Sequence, residues 1–294
     1  MELRVLKYFL AVANAGSITR AANMLHLSQP TLSRQIKALE EELGRKLFTR
    51  GKYEVSLTES GLALKNRAEE IVDMAERTKA EFAPKQIMAK GTVYIGGGET
   101  RAMSYLANIA AATRRAYPQI SFHMYSGNAD DVKEKLDNGL LDFGVLIEPT
   151  DISKYEFATL PRKDRWGLIV SADGPLASRR SIRAADLAGI PLLMSRQLTS
   201  KYGVSDKFYQ WFESVAKDIE IAASYNLIYN AALFVKAGLG SAVALEGLVS
   251  DDSLRFVPFA PKLESRVDIV WKKARVRSAA ADIFLSAILS GKVR

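Results

Sequence analysis

Polar and basic side chains share one face of a predicted helix near the amino terminus. From residue 31 onward an apolar stripe recurs at steps of four, three and four residues: Leu32, Ile36, Leu39 and Leu43. The other face carries hydroxyls, amides and cations instead of the mixed Glu and Lys of an ordinary solvent face: Ser28, Gln29, Pro30, Thr31, Ser33, Arg34 and Lys37. Arginine pairs with guanine, glutamine pairs with adenine, and hydroxyls reach base edges or phosphates. The helix therefore has the side chains that read a DNA groove.

A shorter helix precedes this one. Ala21, Ala22 and Leu25 give it an apolar stripe, and the two small alanines allow a second helix to cross closely. After a short turn, Ser28 can cap the next helix with its hydroxyl, and Pro30 falls in the first turn, where a missing N–H costs little. The pattern predicts a helix-turn-helix. From these helices alone, a helical hairpin with an ordinary polar face remains the alternative.

The flanking residues extend this pattern into a family resemblance. The chain resembles LysR-type transcriptional regulators at Phe9, Ala11, Val12, Ala13, Gly16, Ser17, Thr19, Arg20, Ala21, Ala22, Leu25, Leu27, Ser28, Gln29, Pro30, Leu32, Ser33, Arg34, Gln35, Ile36, Leu39, Glu40, Leu43, Gly44, Leu47, Phe48, Arg50, Val55, Leu57, Thr58 and Gly61. The resemblance implies an α/β protein with an N-terminal winged helix-turn-helix, a long dimerising linker helix and a C-terminal two-lobed effector domain of the periplasmic-binding-protein-like (type 2) fold. It also implies a homo-oligomeric transcriptional regulator that binds double-stranded DNA and a small-molecule effector.

The predicted wing follows the second hairpin helix. Leu47 and Phe48 anchor the returning chain, and residues 50–57 form a basic turn flanked by strand-like alternation. Arg50 and Lys52 are the candidate DNA contacts of this wing. The family usually has a second arginine where this chain has Tyr53, so one contact is missing or moved to Lys52.

Helices are also expected on either side of the hairpin and wing. The first, at about residues 3–14, should end at Gly16 and present one apolar face: Leu3, Leu6, Phe9, Leu10 and Ala13. A long helix capped by Thr58 carries apolar positions at alternating steps of four and three: Leu64, Ala68, Ile71, Ala75, Thr78 and Phe82. This heptad seam predicts a dimeric coiled coil, with a single amphipathic helix packed on its own domain as the alternative. Pro84 should end the helix.

Beyond Gly91 the pattern alternates strands and helices. Strands are expected near 92–95, 120–125, 141–147, 166–171, 191–194, 219–223, 241–245 and 267–271, with helices near 101–116, 128–139, 204–215, 227–237 and 278–289. Such alternation predicts parallel sheets covered by helices. The expected domains are 1–58 (DNA-binding), 59–90 (linker helix and hinge) and 91–294 (effector-binding), with lobe I at about 91–161 and 267–294 and lobe II at about 162–266.

Ligands of open α/β sheets bind outside the carboxyl ends of strands, where helix N-termini offer unpaired amides. The candidate effector-binding residues at those ends are Glu99, Thr100, Ser126, Gly127, Asn128, Ser195, Arg196, Gln197 and Asn226. Ordinary helix capping is the alternative for Thr100, Asn128 and Asn226. A cleft-facing Arg196 would favour an anionic effector, whereas Glu99 would favour a zwitterion that supplies an ammonium group.

Composition and charge narrow the possible functions. At 294 residues and 48% hydrophobic, the chain can form two packed domains. The net charge is +8, and residues 1–57 hold nine Lys or Arg against five Asp or Glu, so a fifth of the chain carries half the excess. Because there are no cysteines, disulfides, thiolate metal sites and thiol redox sensing are excluded.

Catalytic and cofactor motifs are not found in the sequence. His26 and His123 lie in different predicted domains, and neither has a Cys or His neighbour at metal-ligand spacing. The glycines at 96–98 lack the Lys-Ser/Thr of a phosphate-binding P-loop. We therefore expect no metal, no cofactor and no catalytic residue.

Two other functional classes remain as alternatives. An enzyme on the same two-lobed fold would need a paired acid and base in its cleft, and an architectural DNA-binding protein would have a cleft filled by its own side chains. No window approaches eighteen consecutive apolar residues, and the amino terminus has no targeting signal. We therefore expect a soluble cytoplasmic protein without membrane contact.

Overall fold

The computed structural model describes residues 1–50, 55–81, 90–196, 207–215, 217–273 and 276–291. The chain forms two compact units, Met1–Ala83 and Pro84–Arg294. The first contains α1 (Leu3–Ala15), α2 (Ile18–Met24), α3 (Gln29–Leu43), β1 (Phe48–Arg50), β2 (Val55–Leu57) and α4 (Glu59–Glu81). The predicted helix-turn-helix, the two strands of the wing and the long helix are therefore all present.

Hydrogen bonds within a few residues shape the turn between α2 and α3. The Leu27 N–H donates to the Ala22 carbonyl at 2.9 Å, and the His26 N–H donates to the Asn23 carbonyl at 3.2 Å. This pair of bonds is a Schellman motif, in which His26 takes the left-handed conformation (φ 54°) that glycine usually supplies. Ser28 then caps α3, which confirms the predicted helix start.

The core of the amino-terminal unit lies between α1, the hairpin and α4. Most of the predicted hairpin core is buried: Ala21, Ala22, Leu32, Ile36 and Leu39. Two expectations are wrong. Leu43 is 39% exposed, because the helix ends at Gly44 one residue later. Helix α1 buries Val5 and Val12, which lay outside the predicted stripe, because it packs against α4 as well as the hairpin.

Two of the six predicted seam positions of α4, Leu64 and Ala68, pack inside their own unit, and Phe82 lies outside the described residues. Ala68 is fully buried in the core of the amino-terminal unit, and Leu64 and Val72 pack against that core. Ile71 is 42% exposed. One face of α4 therefore packs on its own unit, as the single-helix alternative expects. Among the described residues, the neighbouring face that includes Ile71 stays available to a partner.

The chain between α3 and β1 is held closely against the start of α4. The Thr58 N–H donates to the Leu47 carbonyl at 3.0 Å, and the Thr58 hydroxyl donates to the Lys46 carbonyl at 2.7 Å. The same hydroxyl accepts the Gly61 N–H at 3.0 Å, as predicted for a cap. A Cβ atom on Gly61 would lie 2.0 Å from the Leu47 carbonyl oxygen, so this contact requires glycine.

The second unit consists of two sheets flanked by helices. Its elements are β3 (Gly91–Gly97), α5 (Met103–Ala116), β4 (Ile120–Ser126), α6 (Ala129–Asp137), β5 (Phe143–Ile147), β6 (Tyr155–Thr159), β7 (Asp164–Ser171), β8 (Pro191–Ser195), α7 (Lys207–Glu213), β9 (Glu220–Tyr225), α8 (Ile228–Lys236), β10 (Ser241–Leu245), β11 (Leu254–Pro258), β12 (Glu264–Ser265), β13 (Val267–Lys272) and α9 (Ala279–Ser290). A short 3-10 turn covers Ala184–Leu187.

Each lobe contains one mixed sheet. The order is β4-β3-β5-β13-β6 in lobe I and β11-β7-β10-β8-β9 in lobe II, with β12 pairing with β7. Three neighbouring strands in each sheet are parallel, as expected, but β13 and β7 run antiparallel to their neighbours. Strands β6, β11 and β12 were not predicted. Helices cover both faces of the sheets over buried apolar cores.

The end of the chain returns to lobe I, as predicted. Strand β13 pairs with β5 and β6, and α9 packs against α5 and β3. Phe284 of α9 contacts Phe143 and Phe122 edge-on, with ring centroids 5.6 and 5.2 Å apart. The carboxyl-terminal segment thus completes the first lobe.

Candidate DNA-binding surface and effector cleft

The amino-terminal half of α3 presents a polar and basic surface. Most of the predicted DNA-reading side chains there are exposed, and Ser33 is half-buried: Ser28, Gln29, Pro30, Thr31, Ser33, Arg34 and Lys37. The Ser28 hydroxyl accepts the Thr31 N–H at 3.4 Å and lies 2.8 Å from the Thr31 hydroxyl, so these two side chains also cap the helix. The structure brings all seven predicted residues to one end of a single helix.

The two cations of this surface differ in their partners. Lys37 Nζ lies 3.4 Å from Glu41 Oε1, one helical turn away. Arg34 forms no ion pair within the part of the chain that the structure describes, so its guanidinium is available to a ligand. Exposed ion pairs of the Lys37 type contribute about 0.3–0.5 kcal/mol. Lys37 can therefore exchange Glu41 for a phosphate at little cost.

A buried carboxylate joins α3 to the wing, which sequence analysis did not predict. Glu40 is 6% exposed, and its Oε1 accepts the N–H groups of Leu47 at 2.9 Å and Phe48 at 3.2 Å. Its Oε2 accepts the Lys46 ammonium at 2.9 Å. Burial raises the pKa of Glu40, but the bonds from Lys46 and the two amides outweigh burial and hold the pKa below its ordinary value of 4.5. The ionised carboxylate therefore fixes where the wing begins.

The wing itself is described in part. Strands β1 and β2 pair antiparallel, with Arg50 opposite Val55. The side chain of Arg50 and the whole of Lys52 and Tyr53 lie outside the described residues. The DNA contacts assigned to Arg50 and Lys52 stay predictions.

In the second unit, six strand ends meet between the lobes. The carboxyl ends of β3, β4 and β5 face those of β8, β9 and β10 across a pocket of about 80 Å³. Its described lining is Gly98, Glu99, Gly127, Asn128, Ile147, Glu148, Pro149, Trp166, Ser195, Tyr225, Asn226, Ile228, Ala244, Leu245 and Leu248. Its position agrees with the general rule for ligand sites in α/β sheets.

Five of the nine predicted effector-binding residues line this pocket: Glu99, Gly127, Asn128, Ser195 and Asn226. Thr100 and Ser126 line an adjacent depression that shares Glu99 with it. Arg196 is exposed and does not line the pocket, and Gln197 lies outside the described residues. The anion-binding role considered for Arg196 therefore loses its geometric basis.

Ten of the fifteen described lining residues were not predicted from the sequence. Ile147, Glu148 and Pro149 follow β5, and Leu248 follows β10. The strand-end rule would have found them had it been applied to these two strands as well. Trp166 and Tyr225 lie within β7 and β9, where their apolar rings give no separate sign of a ligand site.

Glu99 connects the two lobes. Its carboxylate, on lobe I, accepts the N–H of Ile228 at 2.5 Å, and Ile228 is the first residue of α8 in lobe II. Leu227 precedes α8 and offers no side-chain cap, so Glu99 takes that role from the opposite lobe. The Tyr225 hydroxyl nearby donates to the Val243 carbonyl at 2.5 Å. Burial and the Glu99 charge raise the pKa of Tyr225.

Thr100 has a structural role in the turn that precedes α5, whose N-cap residue is Ala102. The residue is 7% exposed, and its hydroxyl donates to the Asp164 carboxylate and accepts the Ala102 N–H at 3.0 Å. Burial raises the pKa of Asp164, although the Thr100 hydrogen bond and the nearby cations Arg162 and Arg101 oppose it. Asn128 caps its own helix, since its Oδ1 accepts two N–H groups of α6 at 2.9 and 3.0 Å. The residue also lines the pocket.

Two family models match the chain. Residues 3–62 match the bacterial regulatory helix-turn-helix protein, lysR family, and residues 88–291 match the LysR substrate binding domain. The chain belongs to the LysR family. Members are DNA-binding transcriptional regulators with an effector-binding domain, not enzymes, and the LysR architecture accounts for both units described above.

LysR-type relatives match over nearly the whole chain. The uncharacterized HTH-type transcriptional regulator YvbU of Bacillus subtilis (strain 168) is 25% identical over 290 residues, covering 97% of both proteins. The Hca operon transcriptional activator HcaR of Escherichia coli (strain K12) is 29% identical over 289 residues, covering 96% of this chain and 95% of HcaR. Full-length CbnR crystallised with its target DNA has the same fold, with a TM-score of 0.69 and 22% identity over 99% of this chain and 100% of CbnR.

Clustered metal ligands and membrane-spanning helices are absent from the described residues. Across the described residues of this LysR-family chain, no group of three or more His, Cys, Asp or Glu side chains is placed to hold a metal ion. None of the described helices combines the length and apolarity that crossing a bilayer requires.

Proposed function

We propose that this LysR-family regulator reads its operator through the amino-terminal half of α3 and the wing. The observation that carries the proposal is the exposed polar end of α3, where Arg34 is unpaired within the described residues and the nearby acid Glu40 is buried. The proposed contacts are Ser28, Gln29, Pro30, Thr31, Ser33, Arg34, Lys37, Arg50 and Lys52. Arg34 is assigned to a base edge, and Lys37 and Arg50 to phosphates.

Substitution of Arg34 and Lys37 tests these roles. Arg34→Ala should relax sequence preference at one operator position and cost roughly 1–3 kcal/mol there, because a bidentate base contact is lost. Lys37→Ala should weaken operator and random DNA alike and lower the slope of log affinity against log salt by about one. The measurement is fluorescence anisotropy with both DNAs at several salt concentrations. If Arg34→Ala weakens both DNAs equally, Arg34 does not read a base.

The pocket between the lobes is the proposed effector site. Its proposed contacts include five lining residues that were predicted from the sequence: Glu99, Gly127, Asn128, Ser195 and Asn226. Glu148 and Trp166 line the same pocket and are added to the proposed contacts. Because Glu99 links lobe I to the start of α8, a ligand that contacts Glu99 can alter the separation of the lobes. The pocket is open, which does not support the alternative of an architectural protein whose cleft is filled by its own side chains.

We also propose self-association through two apolar surfaces. One is the exposed face of α4 around Ile71, and the other lies on α8, where Tyr229, Leu233 and Phe234 are 67%, 47% and 54% exposed. Exposed large apolar side chains clustered on one helix are typical of interfaces. Two DNA-reading helices in an oligomer would bind two half-sites.

A regulator of this kind acts where the chromosome is, so we propose a cytoplasmic location. The basic amino-terminal segment supports it, because a DNA partner requires access to the nucleoid. Cell fractionation that recovers the protein outside the cytoplasm would contradict this assignment.

A further inference from the structure

The pocket between the lobes has an acidic lining, and its other described residues are uncharged. Glu99 and Glu148 carry the charge, and none of the described lining residues is Lys, Arg or His. Trp166, Leu245 and Leu248 supply apolar surface, and the Trp166 N–H is already used, since it donates to the Ser265 hydroxyl at 2.8 Å. A ligand therefore meets two carboxylates and an apolar wall.

Both carboxylates keep acceptor capacity toward the pocket. Glu99 accepts the Ile228 N–H at 2.5 Å, and Glu148 accepts the Arg266 N–H at 3.2 Å. Neither forms an ion pair within the described residues. An ionised carboxylate can accept about four hydrogen bonds, so each has unused sites. The Tyr225 hydroxyl donates its hydrogen bond to the Val243 carbonyl, so toward a ligand its oxygen can act only as a third acceptor.

These groups are suited to a cation and unfavourable for an anion. A ligand carboxylate would be repelled by Glu99 and Glu148, with no described cation in the lining to offset the repulsion. An ammonium group has three N–H donors and no acceptor, which complements three acceptors. We propose, as an extension of the effector site proposed above, that the pocket binds a small molecule that carries a protonated primary amine on an apolar body.

The size of the pocket limits that body. Its volume of about 80 Å³ is well below the roughly 300 Å³ at which pockets for drug-sized ligands begin. The ligand therefore has a short apolar chain, and a four-carbon amine is a suitable probe. The matched probe of opposite charge is the four-carbon acid.

Calorimetric titration of the full chain with n-butylamine hydrochloride and sodium butyrate at neutral pH compares the two charges at equal size. Butylamine should bind more tightly than butyrate by about tenfold or more, because hydrogen bonds to charged groups are among the strongest. Glu99→Gln and Glu148→Gln should each weaken butylamine by about tenfold, since glutamine keeps the backbone hydrogen bond and removes the charge. Glu220→Gln is the control, because Glu220 is exposed at the opposite end of β9.

The inference is overturned if butyrate binds more tightly than butylamine, if butylamine does not bind, or if both glutamine variants bind butylamine as the wild type does. Operator binding by the same preparations without ligand tests the proposed function separately. If the protein binds DNA specifically but binds butyrate more tightly than butylamine, the proposed regulatory function stands and the proposed amine ligand is wrong. If the wild-type protein shows no specific DNA binding, the proposed function is wrong, whichever ligand binds in the pocket.

Discussion

Glu40→Ala is expected to lower the free energy of unfolding of the amino-terminal unit by about 3 kcal/mol, because it leaves two backbone amides without their acceptor and removes the partner of Lys46. The start of the wing should also lose protection from hydrogen exchange, because the Leu47 and Phe48 amides donate to Glu40. Hydrogen exchange of the full chain, followed in peptides from residues 1–81, measures the change within this unit.

Glu41→Ala is the matched control. It removes the adjacent carboxylate, whose partner Lys37 lies 3.4 Å away, but both side chains of that pair are about two-thirds exposed, at 65% and 66%. Such a pair contributes about 0.5 kcal/mol or less. If the two variants destabilise the unit equally, the buried carboxylate does not have the role assigned to it.

The same carboxylate gives the stability of the amino-terminal unit a pH dependence. Because the folded pKa of Glu40 lies below its ordinary value of 4.5, its contribution is present above that value and is lost as the pH falls through the lowered pKa. Glu40→Ala should therefore reduce the loss of protection seen on acidification, and Glu41→Ala should leave it in place.

Ile71→Glu is expected to separate the subunits and to reduce the affinity for an operator with two half-sites roughly a hundredfold or more, since the linked second half-site is lost. Ile71 is exposed on the face of α4 that the core of its own unit leaves free. Leu64 is unsuitable for this test, because it packs against that core and a charge there would also destabilise the fold. Sedimentation velocity measures the oligomer, and operator titration measures the affinity.

Leu62→Glu controls for the charge itself. Leu62 is 55% exposed, and it lies nine residues before Ile71, half a turn around the same helix. The substitution should leave the oligomer intact. If the sedimentation coefficient of Ile71→Glu is unchanged, or if both variants dissociate equally, the Ile71 face of α4 is not the subunit interface.

Features that depend on a few neighbouring residues could be predicted from the sequence. Ser28 caps α3 through a residue three positions away, and Gly16 and Gly44 end their helices in the left-handed conformation. The buried strands of both lobes were also predicted, because their continuous apolar runs distinguish them. Strands β6 and β11 were missed, because each follows another strand without an intervening helix and so falls outside the strand-helix alternation.

Features that depend on distant partners could not be predicted. Glu40 stands in a run with Glu41 and Glu42, and nothing in their types distinguishes the buried carboxylate from the two exposed ones. Its burial is decided by the approach of the Leu47 and Phe48 amides. In the same way, the sequence of α4 shows its apolar positions but not that Ala68 is buried in the core of its own unit.

The position of the proposed effector pocket could be predicted in outline, whereas the charge of its lining could not. Strand ends located five of the pocket residues, because the position of a site follows from the topology of the sheet. The direction of a side chain at a strand end does not follow from topology. Arg196 is not among the described lining residues and Glu148 is, so the described lining is acidic.

Selection of bound duplexes from a random DNA pool by the purified full chain tests the central claim most directly. The account predicts enrichment of one sequence with two related half-sites, their centres one helical turn or a multiple of it apart, about 34 Å per turn. Enrichment should weaken at the position read by Arg34 when Arg34→Ala is used. Recovery of DNA without any enriched sequence, at salt concentrations where binding persists, would contradict a sequence-specific regulator.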